Sequence, residues 1–284
     1  NGSQSIVRLS EIDEEKREIY LKNNIYLPFV PYPRSHSSSN CLGLPNDGDF
    51  INSDRAKRIK KISKIPIGWS IMGSPNLKGE EQLKYIIESM ELYEKAEVDF
   101  IELNESCPNI KHNGDKENDL LFRLKYIKEN FLDKRNKKIP ILVKFSNDTE
   151  SNQLPELLDL LFDYGFDGVN FGNTSTKYDQ IRDKISIDEI KLYDFFVKNF
   201  SGGVSGRPLK ESSLELSSKA VEYLKYGKPS QEFHVIRTGG IETLNDIIES
   251  EKAEISMNQW FSGYFENFSK YGHDVYKNFF EVNK

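Results

Sequence analysis

Asn104, Cys107 and Asn109 stand at fixed offsets at the end of an apolar run, in the segment IELNESCPN at 101–109. Residues 98–103 read as a buried strand, so the two amides and the thiol fall where that strand hands over to a loop. Chemistry in α/β proteins gathers at the carboxyl ends of strands. A thiol flanked there by side chains that donate and accept hydrogen bonds is a candidate base or nucleophile rather than packing. Lys144 lies inside a second apolar run, ILVKF at 141–145, where an unpaired charge is costly to bury. It reads either as a side chain snorkelling at a strand end or as a cation aimed at an anionic cofactor or intermediate. Asn46 and Asn173, the latter followed by Thr174, add amides at a turn and at another strand end. Single asparagines are common caps. Four together, Asn46, Asn104, Asn109 and Asn173, would form a ring suited to a planar polar heterocycle.

Two glycine sites lie late in the chain. Thr238-Gly239-Gly240-Ile241 follows a predicted strand and opens a helix, a geometry that presents backbone N–H groups to a phosphate. SGGVSG at 201–206 reads as a second backbone-rich loop before a helix from Leu209 onward. Each is also an ordinary turn signal. Together they fit the phosphate site that barrels build near their seventh and eighth strands.

The elements that must position these residues alternate. Apolar runs at 65–72, 98–104, 139–145, 167–172, 233–238 and 255–262 read as strands, and amphipathic stretches between them as helices. Strict βα alternation implies a parallel sheet with helices outside it. A (β/α)8 barrel needs eight units, and the stretch before Asn46 does not supply two clean ones. Residues 6–9 are a weak strand candidate, 12–23 a charged helix, and 28–39 an irregular Pro/Ser loop. The reading is one barrel domain over 1–284, with an atypical N-terminal segment at 1–45. Residues 176–201 read as an insertion near the active-site mouth, either a lid or a small subdomain.

The net charge of −6 argues against a nucleic-acid partner, which needs a basic stripe. The Lys-rich stretch at 54–64 reads as a solvated helix face. Two cysteines without a wider framework favour free thiols in a reducing compartment. With no apolar run long enough to span a bilayer, the expectation is a cytoplasmic protein. Cys41 reads as structural and His112 as a surface histidine. The spacing of cysteines and histidines disfavours a zinc site, so no metal is expected.

Seven blocks, in order, resemble the dihydroorotate dehydrogenases: LGLPN (42–46), IELNESCPNIKHNG (101–114), ILVKFSND (141–148), GNTS (172–175), GGVSGRPLK (202–210), TGGI (238–241) and QWFSG (259–263). The resemblance runs from the neighbourhood of Asn40 to the C-terminus. It implies a (β/α)8 TIM barrel that binds FMN and oxidises dihydroorotate to orotate in pyrimidine biosynthesis. Cys107 looks like the base that takes the C5 proton while hydride leaves C6, and a cysteine here is the mark of the class 1 branch. By the same resemblance Asn46, Asn104, Asn109, Asn173 and Thr174 hold the pyrimidine and its carboxylate. Asn104 and Lys144 lie by the flavin ring. Ser205, Gly206, Gly239, Gly240 and the backbone of Phe261 and Ser262 take the ribityl and phosphate end.

The family's first strands, which pass under the flavin, are not visible before Asn46; the expectation is that they lie upstream of Asn1. GGVSGRP is phrased like the quinone-linked members and ESCPNIKHNG like the NAD-linked ones, which work with an iron–sulfur and FAD subunit. The acceptor stays open among fumarate, NAD through such a partner, and quinone; a homodimer is also left open. Two other readings stand beside the leading one. One is a relative acting on another pyrimidine, as dihydropyrimidine dehydrogenase does. The other is a barrel that binds flavin or ligand without turnover.

Overall fold

Period-two alternation decides which way each side chain of the strands faces. Ile101 and Leu103, Ile141 and Val143, Val169 and Phe171, and Val235 are all buried, and they join helix residues such as Leu83, Leu124, Leu158 and Leu216 in one continuous core. The computed structural model describes residues 29–42, 46–74, 77, 79–105, 116–227 and 232–281, with 116–119 described in backbone only.

In chain order the described elements begin with β1 (Phe29–Tyr32), β2 (Ser37–Asn40), α1 (Asp49–Ile62), β3 (Gly68–Ile71), α2 (Gly79–Lys95) and β4 (Phe100–Asn104). Next come α3 (Lys116–Ile127), β5 (Ile141–Phe145), α4 (Leu154–Asp163), β6 (Gly168–Phe171), α5 (Tyr178–Arg182) and α6 (Ile190–Phe200). The chain continues through β7 (Gly203–Gly206), α7 (Lys210–Gly227), β8 (His234–Thr238), α8 (Leu244–Lys252), β9 (Met257–Gln259), α9 (Ser262–Tyr271) and α10 (Val275–Glu281).

Six strands form a parallel sheet in the order β3-β4-β5-β6-β8-β9. These are the six that the apolar runs predict, each shorter than its run because the run includes the residues entering and leaving the strand. The sheet curls. Gln259 on β9 reaches Glu102 on β4 at 2.8 Å, although β5, β6 and β8 separate those strands in the sheet. The result is a barrel wall that is not fully closed: among the described strands, β3 and β9 are the two ends and do not pair. The strand candidate at 6–9 and the helix at 12–23 lie outside the described residues.

A second, antiparallel sheet has the order β1-β2-β7. Its existence corrects two expectations, the irregular loop at 28–39 and the loop at 201–206. SSSN at 37–40 and GVSG at 203–206 lack a strand composition; backbone proximity and hydroxyl pairing make the sheet. A Cβ at Gly202 would lie 2.2 Å from the Asn40 carbonyl, and one at Gly206 2.2 Å from that of His36; both glycines have positive φ, 90° and 100°. The buried serines of β2 find partners. Ser37 donates to the Ser205 carbonyl at 2.7 Å and Tyr32 donates to Ser39 Oγ at 3.0 Å. Burial, only partly offset by that hydrogen bond, pushes the Tyr32 phenol up to about 12.

Residues 176–201 pack on this hairpin. Ile181 and Ile185, with Tyr193 and Phe196 of α6, form a separate core with Val30 and Tyr32. The Glu189 carboxylate accepts the amides of Arg34 and Ser35, both at 2.9 Å, and so caps the hairpin turn.

The turn after β8 is held from below. Arg237, fully buried, donates to Ser213 Oγ at 3.0 Å, Ser250 Oγ at 2.9 Å and the Lys210 carbonyl at 2.9 Å. Asp246 accepts the amides of Glu242 and Thr243 and pairs with Lys210 at 2.6 Å. Burial alone would raise the Asp246 carboxyl, but Lys210 and those amides outweigh it and hold the group below the usual carboxylate range.

Two outcomes are expected. Phe196→Ala should cost about 3–5 kcal/mol, the usual loss for a large buried aromatic, read by urea unfolding; a loss under about 1 kcal/mol would mean that 176–201 moves independently of the hairpin. A depressed Asp246 adds stability above its unfolded pKa and loses it as pH falls through its folded value. Asp246→Asn should therefore be less stable than wild type at neutral pH, the gap closing on acidification. A gap constant from pH 7 to pH 3 would remove that carboxylate from the acid limb.

Candidate active site

The strand residues that alternate with the outer core face inward, and most of them are polar. Ser70 on β3, Glu102 on β4, Lys144 on β5, Asn170 on β6, Thr238 on β8 and Gln259 on β9 meet inside the barrel. Parallel strands buried on both faces are normally apolar throughout. Here Glu102 Oε2 accepts from Asn170 Nδ2 and Gln259 Nε2, both at 2.8 Å, and Oε1 accepts from Ser70 Oγ at 3.1 Å. Lys144 Nζ lies 3.4 Å from Glu102 Oε1 and 3.3 Å from Gln259 Oε1. Thr238 Oγ1 completes the ring, 2.9 Å from Asn170 Oδ1 and 3.1 Å from Gln259 Oε1.

A cleft of about 890 Å³ opens above this network at the carboxyl ends of the strands. Asn104, Lys144, Asn173 and Thr174 line it on one side, Asn46 at its rim. Asn173 donates to Asn104 Oδ1 at 3.3 Å, and Asn46 Oδ1 accepts the Gly48 amide at 2.8 Å. Ser205, Gly206, Gly239, Gly240, Phe261 and Ser262 line the opposite end. There Ser205 Oγ lies 2.8 Å from Ser262 Oγ and 2.9 Å from Ser38 Oγ. The cleft extends to Trp69 on β3 and to Tyr85 and Tyr93 on α2; Trp69 stacks on Tyr93 with ring centroids 5.3 Å apart.

The structure thus gathers every site residue expected from the sequence that falls among the described residues, from four strand ends, the two glycine segments and the connection before α1 that carries Asn46. Cys107 and Asn109 lie outside the described residues, as does His112. What leads to them is fixed: the Glu105 amide donates to the Lys144 carbonyl at 3.0 Å, and its carboxylate accepts from Arg123 Nε at 2.9 Å. Lys144 is neither snorkelling nor bare, since its nearest anion is Glu102. Sequence reasoning missed Glu102, Asn170, Thr238 and Gln259. The available signal was the same one that flagged Lys144, a polar residue inside a short apolar strand.

Behind the serine end, His36 Nδ1 lies 2.8 Å from Glu266 Oε2 and 3.6 Å from Glu242 Oε2. These three are the one group among the described residues with a metal-like grouping. Arg207 already binds Glu242 Oε2 at 2.7 Å and Lys270 binds Glu266 Oε1 at 2.8 Å, so the cluster acts as a charge clasp between the hairpin turn and α9. Burial raises the Glu242 carboxyl despite Arg207.

Comparison with known proteins agrees with this architecture. A family model described as dihydroorotate dehydrogenase matches residues 31–280. A dihydroorotate dehydrogenase (quinone) from Dichelobacter nodosus is 29% identical over 238 residues, covering 81% of this chain and 65% of that protein. One from Wigglesworthia glossinidia brevipalpis is 31% identical over 241 residues, covering 82% and 65%. The chain therefore spans 65% of the length of these two relatives. A solved structure of ligand-free DHODH from Eimeria tenella superposes with a TM-score of 0.70 at 18% identity, covering 88% of this chain and 70% of that one, which speaks to the fold alone. Matched by the family model across 31–280, the chain belongs to the dihydroorotate dehydrogenase family.

Proposed function

We propose that this protein is an FMN-dependent dihydroorotate dehydrogenase. The observation that carries the proposal is the cleft itself: a cation and paired amides at one end, and glycine backbone with two serine hydroxyls at the other, around a space of about 890 Å³ for a planar cofactor and a planar substrate. The cleft suits such a cofactor in one further respect. Gly206, Gly239 and Gly240 turn at positive φ; a Cβ at Gly240 would come within 2.4 Å of Lys210 Cα. Side chains are thus kept from that end and backbone amides left to meet an anion.

When bound, the flavin accepts the hydride that leaves C6 of dihydroorotate. The chain's own residues do the rest. Asn46, Asn104, Asn109, Asn173 and Thr174 orient the pyrimidine through its amide and carboxylate groups, the bidentate donor–acceptor pattern that asparagine supplies. Lys144 contributes a positive charge at the ring end of the cleft, where negative charge collects during oxidation. Cys107 holds the position of the base that removes the C5 proton. A free thiol has a pKa of about 8.5, so only a small fraction is thiolate at neutral pH unless a nearby cation raises it.

The names of the curated relatives favour quinone as the acceptor. Cys107 and its flanking residues resemble the branch that hands electrons to a partner subunit.

Rapid mixing with dihydroorotate should bleach the bound flavin, and Cys107→Ala should slow that step by roughly 10²–10⁴-fold, the ordinary worth of a general base. Bleaching at the wild-type rate in the variant would remove Cys107 from the role. Dihydrouracil in place of dihydroorotate should leave the flavin oxidised; the reverse preference would assign the cleft to another pyrimidine. Reoxidation by a short-chain quinone, fumarate or NAD then identifies the acceptor.

A further inference from the structure

Resting on the reading of the cleft as a flavin site, we propose that Glu102 is a positioning residue that anchors and counterbalances Lys144 from beneath the cleft floor. Lys144 lines the cleft, and Glu102 does not. Glu102 is 3% exposed, with Lys144 Nζ 3.4 Å above its Oε1. The ammonium therefore sits between a buried carboxylate and the space where a ligand ring lies. Lysine carries its charge on a flexible four-carbon stem; two acceptors, Glu102 Oε1 and Gln259 Oε1, fix where it ends.

Among the described residues, every side chain that hydrogen-bonds or pairs with the Glu102 carboxylate is a donor: the Ser70 hydroxyl, the amides of Asn170 and Gln259, and the Lys144 ammonium. Such surroundings suit an acceptor-only carboxylate. They come from β3, β6, β9 and β5, so the carboxylate cannot shift without moving four strands.

The carboxylate also sets the strength of the positive field in the cleft. Lys144 alone would present a full unit charge to the ring. With Glu102 3.4 Å away the two charges largely cancel at a distance, leaving a local dipole that favours negative charge on the ring without trapping it. Replacing Glu102 by glutamine keeps the shape. The carbonyl of the new amide can still accept from Asn170 and Gln259, and its NH2 can donate to Ser70 Oγ. That NH2 then faces the Lys144 ammonium, which loses its anchor and its counter-charge.

Sulfite tests this without turnover. Its lone pair forms a bond to N5 of an oxidised flavin, and the displaced electron pair leaves the ring anionic, so its affinity reports the field at the ring. In protein purified with its flavin, Glu102→Gln should bind sulfite at least roughly tenfold more tightly than wild type, since one uncompensated charge now acts on the adduct. In a Lys144→Met background the same change should alter affinity by no more than about threefold, because the effect runs through the lysine. Ser70→Ala, which removes a neutral hydrogen bond from the same carboxylate, should stay within about twofold of wild type. The proposal is overturned by unchanged affinity in Glu102→Gln, by an equal effect in both backgrounds, or by a shift in Ser70→Ala as large as that of Glu102→Gln. A second readout needs no flavin: trinitrobenzenesulfonate modification of Lys144 in flavin-free protein, followed by peptide mass spectrometry. Glu102→Gln should speed it at least several-fold, and an unchanged rate overturns the anchor. Wild type that holds no flavin would defeat the cofactor reading alone, while the labelling still decides for or against Glu102.

Discussion

A carboxylate buried inside a barrel must be answered from every side, and here Glu102 imposes that demand. An isolated charge in a low-dielectric interior is prohibitively costly. Ser70, Lys144, Asn170 and Gln259 offset the cost directly, and Thr238 holds Asn170 and Gln259 in the orientation that lets them donate. All six strands of the parallel sheet thus contribute a side chain to one network. Register follows from it, because a one-residue slip in any strand would turn its polar residue out into the helix-facing core.

The outer face of the same strands is conventional packing. Ile101, Leu103, Val143, Val169 and Phe171 have no measurable exposure, and at roughly 1.5–3 kcal/mol for each fully buried large apolar side chain they supply the stabilisation that lets the interior be polar. The two faces divide the labour. Apolar burial against the helices holds the wall together, and the polar network fixes the shape of the cleft floor to within a hydrogen-bond length.

Legibility in the sequence follows the same division. The six strands of the wall could be read because each carries an apolar run long enough to stand out from its helices. The hairpin could not, since SSSN at 37–40 has little β-propensity; its strands exist because Gly202 and Gly206 let the 203–206 segment close on it. Those glycines read locally as a loop, and only tertiary contact makes that segment a strand. In the candidate site, Lys144 stood out as a charge in an apolar run, and the asparagines as amides at strand ends. Glu102 carries the same signal, a charge inside an apolar run two residues before Asn104. The partners it needs lie up to 157 positions away, and no local pattern announces a contact across that separation.

The hairpin, β7 and the 176–201 helices also explain why one end of the cleft is built differently from the other. The floor end rests on strands whose positions the Glu102 network dictates. The serine end rests on contacts between separate parts of the chain, with Ser38, Ser205 and Ser262 drawn from the hairpin, β7 and the start of α9. The His36–Glu266 pair and the Arg207–Glu242 pair tie those parts together just behind the hydroxyls. Arg207 is 52% exposed, and ion pairs with an exposed member contribute little each. A polar floor fixed by six strands thus faces a hydroxyl-lined end fixed by contacts between separate parts of the chain.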